Sequence, residues 1–133
     1  MCVLTALVSA SWIAGGFVAP PEENYNSFFK DSPAPVLRRS FDLEADATNA
    51  TWRIAAAGMV DAFVNGERVT PTALPGWTDY DCRVLSSDYD VARFLRRGEN
   101  VLELRLGNGW YNLLPMKMWG RYNLRENLPQ GTP

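Results

Sequence analysis

The chain has 133 residues, 47% of them hydrophobic and 21% charged, which is the composition of one ordinary globular domain. Its formal net charge of -2 provides no basic field to attract phosphate backbones, so nucleic acid is excluded as a partner. Histidine is absent, which excludes Ser-His-Asp hydrolase chemistry and histidine-ligated zinc sites.

The N-terminal residues 1–10 form an apolar extension that lacks the preceding Lys or Arg of a secretory signal peptide. No apolar stretch reaches the ~20 residues that span a bilayer, so we expect a soluble protein with no membrane partner. Two cysteines, Cys2 and Cys82, are too few for a disulfide framework. The compartment therefore stays open between the cytoplasm and the periplasm or a secreted location.

Apolar residues recur with period two in the first half of the chain, which predicts strands. Trp12-Ile13 is predicted as a short first strand, followed by a long surface loop that extends to Ala34. Val36–Leu43 is predicted as the next strand. Arg39 interrupts its apolar positions, so we expect this residue near a strand end or paired with a carboxylate.

Two further strands are predicted from the middle of the chain. In Ala50–Ala57, Trp52 and Ile54 share one face, which indicates that Trp52 belongs to the core, and Gly58 then predicts a bend. Asn65-Gly66 lies between two short apolar runs and predicts a type I′ hairpin, because both central residues of that turn need positive φ.

The C-terminal part is predicted to contain a strand over Arg83–Ser87 and one helical turn between an N-capping Asp90 and Gly98. Val101–Leu106 alternates leucines with Glu103 and Arg105, which indicates a half-buried strand. Residues 110–133 are predicted as an aromatic tail with one short strand within 116–119. The whole pattern predicts an all-β fold, an antiparallel β-sandwich or jelly roll over residues 11–109.

Five runs of residues follow one another in an order that is similar to a known family: Ala34–Phe41, Phe63–Val69, Pro75–Asp81, Tyr89–Val91 with Gly98–Asn100, and Leu106–Tyr111. Together they resemble the N-terminal domain of bacterial α-L-rhamnosidases, a β-sandwich of the galactose-binding jelly-roll type. The Pro-Gly-Trp-Thr-Asp-Tyr-Asp and Gly-Asn-Gly-Trp-Tyr runs are the most specific. Ala92 departs from the family pattern, which has Thr at this position.

The resemblance implies that the parent protein is a glycoside hydrolase whose general acid and base lie in a catalytic (α/α) barrel. No segment of this chain resembles that barrel. We therefore expect a fragment truncated before the barrel and incomplete at the C-terminus of its sandwich. Alone it should be inactive, with no catalytic residue, cofactor or metal.

The candidate site consists of aromatic and polar residues in two loops: Trp77, Asp79, Tyr80, Asn108, Trp110 and Tyr111. Aromatic rings with polar tips suit a carbohydrate-binding surface, here for a rhamnose-containing carbohydrate, and equally a surface that faces the barrel. The alternative is that Trp77 and Tyr80 only fill the end of the sandwich. A further alternative is an acid and base pair formed by Asp79 and Asp81, or by Asp88 and Asp90.

Several functions are compatible with these residues. The first is an accessory domain of an α-L-rhamnosidase that hydrolyses terminal α-L-rhamnosides, and it either recognises carbohydrate or docks on the barrel. The others are a stand-alone carbohydrate-binding module and the sugar-binding jelly roll of another glycosidase. A bracing domain should expose an apolar patch and bind no sugar, whereas a free module should bind sugar in isolation.

Overall fold

The computed structural model describes residues 12–13, 33–73, 77–111, 117–118 and 122–123. Within them the regular secondary structure is almost entirely strand, which confirms the all-β prediction. The strands are β1 Val36–Leu43, β2 Thr51–Ala55, β3 Met59–Val64, β4 Glu67–Arg68, β5 Ser86–Asp90, β6 Gly98–Gly107, β7 Lys117–Met118 and β8 Tyr122–Asn123. The predicted extension 1–10, most of the loop before Ala34, the Pro75-Gly76 turn and most of the 110–133 tail lie outside the described residues.

The larger sheet has four antiparallel strands in the order β1-β6-β3-β4. Strand β6 is the centre of this sheet, since it pairs with β1 on one side and with β3 on the other. Among the described residues, β2 and β5 form a second sheet, and β7 pairs with β8 in a third. The short strand predicted within 116–119 is therefore present as β7.

The two main sheets pack face to face, which confirms the predicted β-sandwich. Ile54 of β2 lies in one buried cluster with Val60, Ala62 and Leu106 of the larger sheet. Trp52 and other half-buried side chains pack around this cluster, as predicted from the alternation in β2. The remaining half-buried members are Leu37, Ala56, Tyr89 and Leu104.

The predicted hairpin joins β3 to β4 at Asn65-Gly66. Asn65 has φ 52° and Gly66 has φ 85°, the positive values that a type I′ turn requires. Asn65 is the only non-glycine residue with positive φ in the part of the chain that the structure describes. The short polar side chain of asparagine tolerates this conformation better than other side chains do.

Three predicted elements differ from the structure. Trp12 and Ile13 are not in a strand and are both exposed. Strand β5 begins at Ser86 rather than at Arg83, because Thr78 and Asp79 bond residues up to Arg83 into a turn. The helical turn is present as a 3₁₀ turn at Ala92–Phe94, but Gly98 begins β6 instead of ending the turn.

Two charged residues of the larger sheet also differ from expectation. Arg39 lies in the middle of β1 and is exposed, and the ion pair of this strand is made by its neighbour Arg38. Glu103, predicted on the strand face opposite the leucines, has a side chain only 11% exposed, because Arg38 and Arg105 cover it. These arginines donate from Nε to the two carboxylate oxygens of Glu103 at 2.6 and 2.7 Å.

Candidate functional site

The structure brings the four aromatic residues of the candidate site into one cluster. Trp77 and Tyr80 belong to the loop before β5, whereas Trp110 and Tyr111 follow the end of β6. Each loop contributes one tryptophan and one tyrosine. The two tryptophans contact each other across the loops, and so do the two tyrosines. We call these four residues the aromatic cluster.

The tryptophan pair is the solvent-facing half of the cluster. The ring centroids of Trp77 and Trp110 are 5.9 Å apart, and their planes are inclined at 44°. Trp77 is 63% exposed and Trp110 is 44% exposed. Large aromatic side chains are rarely left so accessible in pairs, so this surface is a candidate contact area for a ligand or another protein surface.

The tyrosine pair is the half-buried half of the cluster. Tyr80 and Tyr111 meet edge to face, with centroids 5.3 Å apart and planes at 79°. This is a favoured arrangement, because the positive edge of one ring meets the negative face of the other. Burial raises the pKa of the Tyr80 phenol above its ordinary value, although a hydrogen bond from the Gly58 backbone acts in the opposite direction.

Glycines let the backbone approach closely beneath the cluster. Gly58 has φ 131°, and a Cβ placed on it would lie 2.7 Å from the carbonyl oxygen of Gly107. Gly109 has φ 50°, and a Cβ there would lie 3.0 Å from the Gly58 Cα. The loop that carries Trp110 is therefore packed directly on the bend between β2 and β3, which only glycine permits.

The two polar members of the candidate site have different positions. Asp79 stabilises its own turn: its Oδ1 accepts from the Asp81 backbone N–H at 3.2 Å, and its backbone carbonyl accepts from Cys82 and Arg83. Its Oδ2 also accepts from the Cys82 thiol at 3.3 Å. Asn108 is half-buried, and its backbone carbonyl lies against Gly58. Asp79 thus shapes the loop of Trp77, and Asn108 leads into the turn of Trp110.

Three of the four aspartates suggested as acid and base pairs, Asp79, Asp88 and Asp90, make structural contacts through their carboxylates. Both oxygens of Asp88 accept from Arg53, at 2.6 and 2.7 Å, across the β2–β5 sheet. Asp90 Oδ1 accepts from the Ala92 backbone N–H at 3.0 Å at the start of the 3₁₀ turn. Within the described ranges no three His, Cys, Asp or Glu residues are grouped as a metal site would need. In the same ranges no helix has the length and apolar character needed to cross a bilayer.

Two features of this region were missed by sequence reasoning. Gly58 was predicted only as a bend, although the loop that carries Trp110 packs directly on it. The Arg38–Glu103–Arg105 group was not predicted either. The spacing of Glu103 and Arg105 two residues apart places them on one face of β6, but Arg38 joins them only through the long-range register of β1 with β6.

Comparison with known proteins identifies a family and several relatives of this chain. The family described as the α-L-rhamnosidase N-terminal domain matches residues 45–129. An α-L-rhamnosidase of Streptomyces avermitilis is 39% identical over 110 residues, which are 80% of this chain and 10% of that enzyme. One of Formosa agariphila is 35% identical over 77 residues, 57% of this chain and 8% of that enzyme. The chain spans about a tenth of the length of these curated relatives.

Solved structures give the same match. The α-L-rhamnosidase of Dictyoglumus thermophilum superposes with a TM-score of 0.57 and 40% identity, over 59% of this chain and 9% of that enzyme. The Streptomyces avermitilis α-L-rhamnosidase, solved in complex with L-rhamnose, superposes with a TM-score of 0.57 and 35% identity. That superposition covers 70% of this chain and 9% of that enzyme.

Proposed function

Because the chain belongs to the family of α-L-rhamnosidase N-terminal domains, we propose that it is a non-catalytic accessory domain of an enzyme that hydrolyses terminal α-L-rhamnosides. Its place in that enzyme is beside a catalytic (α/α) barrel, and its topology is a galactose-binding-like jelly roll. Within this assembly it recognises rhamnose-containing carbohydrate. The two packed antiparallel sheets and the relatives' shared activity support this assignment.

The observation that carries the carbohydrate role is the exposed Trp77–Trp110 pair. A sugar ring has apolar C–H groups on its faces, and an indole offers a flat apolar surface on which such a face stacks. Tryptophan also keeps one ring N–H for a sugar hydroxyl. The cluster lies inside the matched region 45–129, so the proposal applies to the part of the chain that defines the family.

The contacts of two suggested acid or base residues, Asp79 and Asp88, support a non-catalytic role. Glycoside hydrolysis needs two carboxyl groups that flank the bond, one of them able to donate a proton. Asp79 is bonded into its own turn, and Asp88 is held by Arg53. Neither group is free to move a proton to a glycosidic oxygen. The barrel would supply both carboxylates in the parent enzyme.

A titration of the 133-residue chain with a rhamnose-containing oligosaccharide tests the proposal. Tryptophan fluorescence should change on binding, and Trp77→Ala and Trp110→Ala should each weaken binding about tenfold or more. Trp12→Ala is the matched control, because Trp12 is a 71% exposed tryptophan outside the cluster and should not affect binding. The chain should release no nitrophenol from an aryl α-L-rhamnoside.

Two results would contradict the proposal. Release of nitrophenol that is lost on Asp79→Asn would make the chain itself catalytic. Absence of sugar binding in the wild-type chain would remove the carbohydrate role. In that case, binding of the chain to the separate barrel domain, weakened by Trp77→Ala, would assign the tryptophan pair to docking instead.

A further inference from the structure

The contact between Trp77 and Trp110 limits how a sugar can approach them. Their ring centroids are 5.9 Å apart, which is the distance of two aromatic rings in direct contact. No sugar ring fits between rings that already touch. A ligand must therefore lie on the outward faces of the pair, where both side chains are exposed.

The angle between the two rings limits the ligand further. A pyranose ring stacks on an indole with its face roughly parallel to the aromatic plane. The planes of Trp77 and Trp110 differ by 44°, so a single pyranose ring parallel to one indole is inclined to the other. Two pyranose rings joined by a glycosidic bond can change direction between them, and each can then lie parallel to one indole.

From this geometry, and resting on the proposed carbohydrate role, we infer that the tryptophan pair binds two linked sugar rings, one on Trp77 and one on Trp110. The ligand class is a disaccharide unit within a rhamnoside, in place of a single terminal monosaccharide. The two indoles act as adjacent subsites. Binding energy from the second ring then adds to that from the first, because both rings belong to one molecule.

The rest of the cluster holds the angle between the indoles. Tyr80 and Tyr111 lock the two loops together through their edge-to-face contact. The Gly58 backbone, on which the Gly109 turn is packed, also acts on the Tyr80 phenol. A surface fixed before binding loses little conformational freedom when the ligand arrives. The tyrosines are therefore positioning residues for the tryptophan pair.

Titration of the 133-residue chain with two probes tests the inference. The probes are L-rhamnose and a disaccharide in which L-rhamnose is α-linked to glucose. The disaccharide should bind at least about tenfold more tightly than the monosaccharide. Trp77→Ala or Trp110→Ala should remove this difference and leave both probes with similar affinity, whereas Trp12→Ala should preserve it.

Trp77→Phe and Trp110→Phe give a second set of variants if the alanine variants fold poorly. Phenylalanine keeps an aromatic plane of smaller area, so it should reduce the preference for the disaccharide without abolishing it. Tyr80→Phe keeps the edge-to-face ring contact with Tyr111 and removes the phenol oxygen that the Gly58 backbone acts on, and it should reduce the preference for the disaccharide.

The outcomes separate this inference from the function on which it rests. Equal affinity of the wild-type chain for the two probes would overturn the two-ring site while the carbohydrate role stood. A preference for the disaccharide that survives Trp110→Ala would also overturn it, because the second ring would then bind elsewhere. Absence of binding by either probe would overturn both proposals.

Discussion

Asn65 donates a hydrogen bond from its side-chain Nδ2 to the side-chain Oδ1 of Asn100, at 2.8 Å, and so ties the tip of the β3–β4 hairpin to the start of β6. Asn65 Nδ2 also reaches the Phe94 carbonyl, and its Oδ1 accepts from the Val101 backbone N–H. The hairpin, the 3₁₀ turn and the central strand thus meet at two amide side chains.

Removal of the Asn100 side chain should destabilise the fold strongly. This residue is 0% exposed, and its amide contacts the N–H and carbonyl of Arg96, the Gly98 carbonyl and Asn65. Asn100→Ala removes a buried amide and takes a partner from each of these partly buried groups, so it should lower the free energy of unfolding by about 2–4 kcal/mol. Urea denaturation measures the change. Asn49→Ala, at an exposed loop position, is the matched control and should cost less than about 0.5 kcal/mol.

Substitutions of Asn65 should separate its turn conformation from its hydrogen bonds. Asn65→Gly tolerates the positive φ but loses the side-chain contacts. Asn65→Ala loses the side-chain contacts and also tolerates the positive φ poorly. We expect Asn65→Ala to be less stable than Asn65→Gly by about 1 kcal/mol. In a double-mutant cycle, Asn65→Gly and Asn100→Ala together should cost less than their sum, because they share one hydrogen bond. Strict additivity would show that this bond contributes nothing.

Alanine substitutions at Gly58 and Gly66 should differ in cost although both glycines have positive φ. Gly66 has open space around a potential Cβ, so Gly66→Ala meets backbone strain alone, about 1 kcal/mol. A Cβ on Gly58 would press against the Gly107 and Asn108 backbone, so Gly58→Ala should cost about 3 kcal/mol or more. Thermal unfolding of the two variants side by side provides the measurement. Equal losses would rule out the close approach beneath the aromatic cluster.

Acid should weaken the fold partly through Glu103. Hydrogen bonds from Arg105 and Arg38 hold the pKa of the Glu103 carboxyl below its ordinary value of about 4.3. The folded state therefore binds this proton less readily than the unfolded chain does. The stabilisation is complete above the ordinary value and is lost as the pH falls through the lowered pKa. Unfolding by urea across this acidic range should show a shallower pH dependence in Glu103→Gln than in the wild type.

The Arg53–Asp88 pair should also stabilise the fold in an acid-sensitive way, and this stabilisation should depend more on salt. The hydrogen bonds from Arg53 lower the pKa of Asp88, so its stabilisation is also lost toward low pH. Both side chains are exposed, so salt screens this pair more than it screens the covered Glu103 carboxylate. The effect of Asp88→Asn on the pH profile should therefore shrink at about 1 M salt, while that of Glu103→Gln persists. If salt changed the pH profiles of both variants equally, the expected difference in screening between Asp88 and Glu103 would be wrong.

Cys82 should react slowly with alkylating reagents because of Asp79. The hydrogen bond from its thiol to the Asp79 carboxylate raises the pKa of Cys82, so less of the reactive thiolate is present near neutral pH. In a Cys2→Ser background, Asp79→Asn should accelerate the reaction with iodoacetamide several-fold. The same Asp79→Asn variant with Cys82→Ser serves as the blank. An unchanged rate would show that the carboxylate does not act on the thiol.

The sequence predicted correctly the elements whose geometry depends on residues adjacent in the chain. Asn65-Gly66 specifies its own turn, and the alternation in β2 places Trp52 and Ile54 toward the core. The contact of Glu103 with Arg38 was not predictable in this way, because the two residues meet through a strand pairing between distant segments of the chain. Trp77 and Trp110 were both proposed for the site, but their mutual contact joins two loops 33 residues apart in the chain, which no local pattern encodes.

The central position of β6 has a consequence for how the sheet is made. Strands β1 and β3 both precede β6 in the chain, and both pair with it. As the chain emerges from the ribosome, these two strands have unpaired edges and uncovered apolar side chains until Gly107 has been synthesised. The ladder between Val36 and Arg105 then closes over a long sequence separation, which makes sheet closure slow. Synthesis that stalls before β6 would release a chain with two open strand edges, and such edges are templates for aggregation.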